Sequence, residues 1–170
     1  WLRDEPLAYQ PATGPKISFQ IHYWQRDDTA VDPVVFGLGP GWNCAWLSYI
    51  DDFSAAQYGG TVMLYPSGGG RRPYNNFDGT VADYYTNTRL IKDADGIGNI
   101  TDFRLIYPSG ATDVYGFLRT NLDGSLSQAF LSKKIDEHGR TTEFIYNSYD
   151  PASTAVQLKY VVDAAGGTNT

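Results

Sequence analysis

Several features are scarce in this 170-residue chain, and each absence excludes a class of protein. There is a single cysteine, Cys44, so no internal disulfide can form and no thiolate set exists for zinc or an iron–sulfur cluster. No run approaches the roughly 20 apolar residues that a membrane-spanning helix needs. Acidic residues outnumber basic ones by 19 to 13, and the only adjacent basic pairs are Arg71-Arg72 and Lys133-Lys134. No basic patch can neutralise a phosphate backbone, so we do not expect nucleic acid as a partner.

Helix signals are also scarce, whereas turn-forming and aromatic residues are abundant. The chain has 18 glycines, 9 prolines and 13 tyrosines, and only 19% of its residues are charged. A ring with a polar tip suits half-buried positions on a pleated sheet. Only Asp51–Tyr58 could form a turn of helix, and Gly59-Gly60 would end it. The composition predicts an all-β protein with little or no helix, and the length predicts one domain.

Alternating apolar and polar residues predict a strand at residues 17–24. The residues on its apolar face are Ile17, Phe19, Ile21 and Tyr23. Before it, four breakers at Pro6, Pro11, Gly14 and Pro15 predict that residues 1–15 form an extended N-terminal arm without a regular element.

A second strand is predicted to follow the glycines at 37–41. Its apolar face would carry Trp42, Cys44, Trp46 and Ile50. The cysteine is then interpreted as a small buried hydrophobe, because no histidine or cationic side chain lies near it in sequence.

The most specific signal is a repeat built around glycine turns. Gly139 is followed by a threonine two residues later and by aromatic residues five and seven residues later. Gly110 is followed by a threonine (Thr112) and two aromatic residues (Tyr115 and Phe117) at the same offsets, and Gly166 has the threonine shortly before the sequence stops. The predicted units lie around 65–77, 102–118, 129–147 and 157–170, inside one β-repeat domain of residues 16–170.

Such a unit is a hairpin with one apolar face that it cannot bury alone, so successive units must share a core. The predicted fold is therefore a coiled sheet of antiparallel strand–turn–strand repeats, arranged as an open barrel, a shell or a sandwich. Because the last unit stops after its turn, we expect the chain to be a piece of something larger.

The repeat resembles a known family. The segment Asp136-Glu137-His138-Gly139-Arg140-Thr141-Thr142, followed by Phe144-Ile145-Tyr146, is similar to the D-x-x-G-R-x-T…Y-x-Y pattern of RHS-type YD repeats. The Gly- and Trp-containing stretch at 37–42 resembles the segment that often opens such regions. Two residues depart from the pattern: Asn147 replaces the aspartate of the Tyr-Asp pair, and Gly167 stands where arginine is usual.

The resemblance implies a large secreted or surface-displayed protein whose repeats coil a long sheet into a shell or rod. Some family members enclose a toxic domain, and others mediate contact between cells. Catalytic parts of such proteins lie outside the repeats. The resemblance therefore implies that this chain is part of the repeat shell and not of an enclosed catalytic domain.

One loop offers oxygen ligands for a cation. Asp93, Asp95, Asn99 and Asp102 surround Gly96 and Gly98, as in half of a calcium loop. The spacing lacks the acidic residue that closes a twelve-residue loop, and Asp-Gly is also an ordinary hairpin turn. Calcium is the only cofactor that the sequence suggests.

No catalytic constellation is recognisable. The carboxylate pairs Asp51-Asp52 and Asp136-Glu137 could suggest glycoside hydrolysis, but neighbours in a strand point to opposite faces. The two histidines, His22 and His138, are far apart in sequence, and no Gly-x-Ser-x-Gly elbow is present. The sequence therefore predicts a protein that is not an enzyme.

Two classes of function stay open. In the first, the chain is an extracellular or cell-surface structural element that joins other copies or neighbouring repeats by strand addition, as a shell segment or a fibre subunit. In the second, exposed rings such as Trp1 and Trp24 bind carbohydrate.

Overall fold

The computed structural model describes residues 2–23, 37–38, 41–51, 60–120, 126–147 and 156–169. Within these ranges every regular element is a β-strand, and fifteen strands form three antiparallel sheets. This confirms the all-β prediction. No helix in these ranges is long and apolar enough to cross a membrane. Of the helix predicted at Asp51–Tyr58, all but Asp51 lies outside the described residues, and Asp51 belongs to a strand.

The N-terminal sheet has three strands in chain order: β1 (Leu2–Tyr9), β2 (Ile17–Tyr23) and β3 (Trp42–Cys44). Strand β2 is the one that alternation predicted. Strand β1 lies in the segment 1–15, for which the prolines and glycine predicted no regular element, so that prediction is wrong for Leu2–Tyr9. Its register shifts between Asp4 and Leu7, and this irregularity accommodates Pro6, which has no N–H to donate. Residues 2–8 stay exposed even so, because β1 is the edge of its sheet.

The middle sheet has the strand order β10-β11-β4-β5-β6. Its members are β4 (Tyr49–Asp51), β5 (Val62–Tyr65), β6 (Arg72–Tyr74), β10 (Phe117–Thr120) and β11 (Leu126–Phe130).

The prediction of one strand running from Trp42 to Ile50 is wrong. A bond from the Leu47 N–H to the Cys44 carbonyl (3.1 Å) closes a turn between β3 and β4, which belong to different sheets. Residues 47–50 are all buried, and a continuous alternating strand would have exposed every second one. Changing sheets keeps this whole segment in the core.

The third sheet, called the repeat sheet here, has seven strands in the order β15-β14-β13-β12-β9-β8-β7. They are β7 (Arg89–Ala94), β8 (Ile100–Ile106), β9 (Thr112–Tyr115), β12 (Lys133–Ile135), β13 (Thr141–Tyr146), β14 (Leu158–Val162) and β15 (Thr168–Asn169).

Antiparallel hairpins occupy all four places where repeat units were predicted. The hairpins β8–β9, β12–β13 and β14–β15 lie in the repeat sheet, and β5–β6 lies in the middle sheet. A fifth hairpin, β7–β8, has its turn at Asp95–Asn99, where the sequence suggested a calcium loop.

One apolar cluster joins the strands of the repeat sheet to the middle sheet. Tyr115 and Phe117, the two aromatic residues that follow Gly110 in its unit, are split between β9 and β10 because the chain changes sheet at Gly116. Phe117 nevertheless stacks on Tyr146, the equivalent residue of the next unit, with ring centroids 4.4 Å apart. Rings at matching positions of two repeats thus pack face to face across the core.

Candidate functional site: aspartate turns and an apolar groove

The turn of the β12–β13 hairpin begins with Asp136, and this aspartate closes the turn with its own hydrogen bonds. The Asp136 N–H donates to the Arg140 carbonyl (2.9 Å), and the Gly139 N–H donates to the Asp136 carbonyl (2.9 Å). The Asp136 Oδ1 accepts the N–H groups of His138 and Arg140, both at 2.9 Å. One carboxylate oxygen therefore satisfies two backbone donors inside a five-residue loop.

The same four bonds recur in two other turns, which start at Asp95 and Asp163. The Oδ1 atoms of Asp95 and Asp163 each accept the N–H groups of the second and fourth following residues at 2.8–3.0 Å. In all three turns the fourth residue is a glycine with positive φ, a conformation that other residues rarely adopt; these are Gly98 (93°), Gly139 (79°) and Gly166 (85°). The set of three is called the aspartate turns below.

The second carboxylate oxygen distinguishes the three turns. The Asp95 Oδ2 accepts a bond from Asn99 Nδ2 (2.9 Å), and the Asp136 Oδ2 accepts one from Arg140 Nε (2.7 Å). In the third turn the corresponding residue is Gly167, which has no side chain. There the Asp163 Oδ2 accepts a bond from the hydroxyl of Tyr9 in β1 (2.7 Å). The third turn is thus completed by the N-terminal sheet.

Hydrogen bonding lowers the pKa of all three carboxyls. For Asp163 the largest cause is the bond from Tyr9, and for Asp95 it is the bond from Asn99. For Asp136 desolvation is the largest single influence and raises the pKa, but the bonds from Arg140 and His138 together outweigh it. These carboxylates are structural acceptors that stay ionised at neutral pH.

A fourth turn keeps the backbone bonds but begins with tyrosine. The Tyr107 N–H donates to the Ala111 carbonyl (2.9 Å), and the Tyr107 hydroxyl donates to Asp113 Oδ2 (2.8 Å). Asp113 is 8% exposed, and burial raises its pKa while Lys134 and Tyr107 partly oppose this. The bond from the Tyr107 hydroxyl gives this buried carboxyl a hydrogen-bond partner and therefore a structural role.

The four predicted calcium ligands fall into two pairs. Asp93 and Asp102 face each other on β7 and β8, and the Asp93 carboxylate is held by Arg104 (Nη2–Oδ1, 2.7 Å). Asp95 and Asn99 are bonded to each other inside their turn. Among the described residues no group of three or more His, Cys, Asp or Glu side chains is placed to hold a metal. Calcium binding stays a prediction.

Cys44 and His138 lie where the sequence suggested. The Cys44 thiol is fully buried, and burial raises its pKa to about 11, which makes it a poor nucleophile. His138 lies exposed in its turn. Of the carboxylate pair Asp51-Asp52, only Asp51 is described, and Trp1 and Trp24 lie outside the described residues.

A groove of about 640 Å³ opens between the N-terminal sheet and β14. One side is built from β1, β2 and the turn after β3, where Phe19 packs on Trp46 with ring centroids 4.7 Å apart. Trp46 in turn meets the edge of the Phe144 ring in β13 (6.3 Å). The other side is residues 157–161. The groove therefore exists only because the N-terminal sheet lies against the repeat sheet.

The sequence did not predict the roles of two groups of residues. Tyr9 and Gly167 act together at the third turn, and the only signal was that Gly167 stands where the unit usually has arginine. Tyr84 and Tyr85 are 92% and 89% exposed, and they form an edge-to-face pair with centroids 5.2 Å apart. Adjacent tyrosines in a turn-rich segment carry no pattern that predicts this exposure.

No family model matches the chain, and no curated protein matches it. Among solved structures, the chain is similar to the N-terminal domain of effector protein SpvB from Salmonella typhimurium strain LT2, with a TM-score of 0.54 and 12% identity. The match covers 94% of this chain and 63% of that one, so the chain spans less than two thirds of that structure. At this identity the likeness concerns the fold alone. It does not indicate an RHS or YD repeat, which stays a prediction from sequence.

Proposed function

We propose that the chain is a non-enzymatic structural or interaction element of an extracellular or cell-surface assembly, such as an RHS/YD-type shell segment or a fibre subunit. It extends by adding strands to the edge of its repeat sheet. The observation that carries this proposal is the series of aspartate turns, each of which closes a hairpin with bonds internal to five residues. A unit of this kind encodes packing and can be added repeatedly.

The last hairpin presents an edge for such an addition. Strand β15 pairs only with Val161 and Val162 of the five residues in β14. The Gly167 carbonyl points to β14 because it accepts the Asp163 N–H. Since successive residues of a strand alternate, the N–H and C=O of Thr168 point away from β14, to a side where the described residues place no strand. Unpaired groups at such an edge are a template for another strand.

Assembly through this edge can be tested by removing one donor. Thr168→Pro deletes the outward N–H without touching the bonds between β14 and β15, whereas Thr168→Val keeps the N–H and serves as the control. We expect concentration-dependent assemblies for the native chain and Thr168→Val, and monomers for Thr168→Pro. Light scattering and electron microscopy provide the measurement. A native chain that stays monomeric at every concentration, or a proline variant that assembles equally well, contradicts assembly at this edge.

Carbohydrate binding is the second candidate, and the Tyr84–Tyr85 pair favours it. The segment that carries these rings is held by its own hydrogen bonds: Asp83 Oδ1 accepts the N–H (2.9 Å) and hydroxyl (2.5 Å) of Thr86, and the Asp83 N–H donates to the Thr88 carbonyl (2.8 Å). Exposed rings on a preorganised loop bind with little ordering cost.

A glycan array separates this candidate from the first. Binding that disappears in the double variant Tyr84→Ala/Tyr85→Ala, but persists in Val81→Ala, would support it. Val81 is the control because it is also an exposed apolar residue (59%) and lies three positions before Tyr84 in sequence. An array on which the native chain binds nothing eliminates it.

A further inference from the structure

The groove between the N-terminal sheet and β14 has an apolar interior. Its apolar lining includes five large side chains: Leu7, Phe19, Leu38, Trp46 and Leu158. Its volume, about 640 Å³, falls in the range of roughly 300–1,000 Å³ that is usual for sites of small organic ligands. Such a surface favours a hydrocarbon and disfavours a sugar, whose hydroxyls would lose their hydrogen bonds to water there.

Lys159 is the one charged residue among the described residues that line the groove. The chain as a whole has a net charge of −6, so a groove with a single positive side chain and no acidic one differs from the average surface. The Lys159 ammonium lies over the ring of Tyr160, 5.6 Å from its centroid, and forms no ion pair with a described residue. Its charge is therefore available to an anion.

Local structure places polar donors beside the apolar lining. Ile145 pairs with Tyr160 and Tyr146 pairs with Leu158, so Lys159 is an extra residue in β14 that has no partner on β13. Bulges of this kind redirect a side chain and often occur next to binding sites. Two residues earlier, Gln157 Oε1 accepts a bond from Asn147 Nδ2 (3.0 Å), which leaves the Gln157 amide nitrogen as a second donor.

We propose that this groove binds a free long-chain carboxylate, an amphiphile of the fatty-acid class. The hydrocarbon tail lies among Leu7, Phe19 and Trp46, and the carboxylate accepts bonds from Lys159 and Gln157. A carboxylate suits the Lys159 end of the groove because it only accepts hydrogen bonds, whereas the Lys159 ammonium and the Gln157 amide nitrogen only donate them. This site is separate from the strand edge at Thr168, so it does not depend on the assembly proposed above.

The test is isothermal titration calorimetry with decanoate below its micellar concentration. We expect saturable binding of one decanoate per chain, with an affinity that falls about fourfold for each methylene removed in going to octanoate. Decyltrimethylammonium has an alkyl tail one carbon longer and the opposite charge, and it should still bind more weakly. This comparison needs no variant, so it holds even if a substitution disturbs folding.

Two lysine variants locate the site. Lys159→Gln should weaken decanoate binding roughly two- to fivefold, as expected for an exposed ion pair. Lys92→Gln is the matched control, because Lys92 also lies 5.6 Å from a ring centroid, that of Phe77, but does not line the groove. Thr168→Pro should bind decanoate like the native chain, which separates this proposal from the failure of strand addition.

Several results would overturn the proposal. They are no saturable binding of decanoate, equal binding of decanoate and the ammonium amphiphile, and an unchanged affinity in Lys159→Gln. Binding to phosphatidylglycerol vesicles without binding of monomeric decanoate would reassign the surface to a membrane. Binding of an acidic peptide without binding of decanoate would reassign it to a protein partner.

Discussion

The turns at Asp136 and Asp163 have the same backbone bonds but differ in what completes them. At Asp136 the second carboxylate oxygen is bonded by Arg140, four residues away, so the turn is complete within its own hairpin. At Asp163 the same oxygen is bonded by Tyr9, which is 154 residues away in sequence. Where glycine replaces the bonding side chain at this repeat position, the turn becomes a docking point for another part of the chain.

Glycine at position 167 leaves room for this exchange. A Cβ added there would lie 2.6 Å from Asp163 Oδ2, so the carboxylate would have to shift, and 3.2 Å from its Cγ, a tight contact. Close by, a Cβ on Gly14 would lie 2.6 Å from the Cβ of Ala164, so the β1–β2 connection also touches this turn. The N-terminal sheet is therefore positioned by two contacts at one turn.

Removing each carboxylate should have the largest effect and should separate the two turns. Asp136→Ala should lower the thermal unfolding midpoint by roughly 2–4 °C, because it frees the N–H groups of one turn. Asp163→Ala should lower it further, because it also undocks the N-terminal sheet. Differential scanning calorimetry makes this comparison, and equal shifts would show that the Tyr9 contact adds nothing to stability.

Adding a side chain to the third turn should have the next largest effect. Gly167→Ala forces the Asp163 carboxylate to move, and because Gly167 is exposed we expect a cost at the lower end of the range for overpacking, about 1 kcal/mol of unfolding free energy. Arg140→Ala, at the equivalent position of the Asp136 turn, should cost less because it creates no clash. Urea unfolding measures both, and a larger loss for Arg140→Ala would contradict the steric argument.

Tyr9→Phe should have a smaller and more local effect, because it removes only the hydroxyl that bonds Asp163 Oδ2. We expect amide hydrogen exchange near the β1–β2 connection to become roughly three- to tenfold faster, the equivalent of about one hydrogen bond, while exchange around Asp136 stays unchanged. Uniform acceleration throughout the chain would instead indicate global destabilisation.

Lowering the pH should weaken the same Tyr9–Asp163 contact in the native chain, and we expect this effect to be the smallest. The folded-state pKa of Asp163 lies below its unfolded value of about 3.9, so its contribution to stability is present above that value and is lost as pH falls through the folded value. Amide protection factors near the β1–β2 connection, which correct for the pH dependence of intrinsic exchange, should therefore fall below about pH 4. Tyr9→Phe should flatten this dependence, since Tyr9 is the largest cause of the shift. An unaltered pH profile in that variant would assign the effect to other carboxyls.

Local patterns carried most of the predictable information about the fold. The strand at Ile17–Tyr23 follows from alternation, and the turns at Gly110, Gly139 and Gly166 follow from residues a few positions apart. The turn at Asp95 uses the same Asp and Gly spacing, but two further acidic residues nearby suggested a cation instead. The groove could not be predicted, because its two sides are far apart in sequence.

The all-β class and the positions of the hairpin turns follow from local sequence, because the glycine φ angles and the bonds to the aspartate Oδ1 involve residues within five positions of each other. Tertiary packing sets the points where the chain changes sheet, including those after Cys44 and at Gly116, and it sets which donor reaches Asp163. Those outcomes depend on burying a shared core and on contacts across 154 residues, and neither has a local pattern.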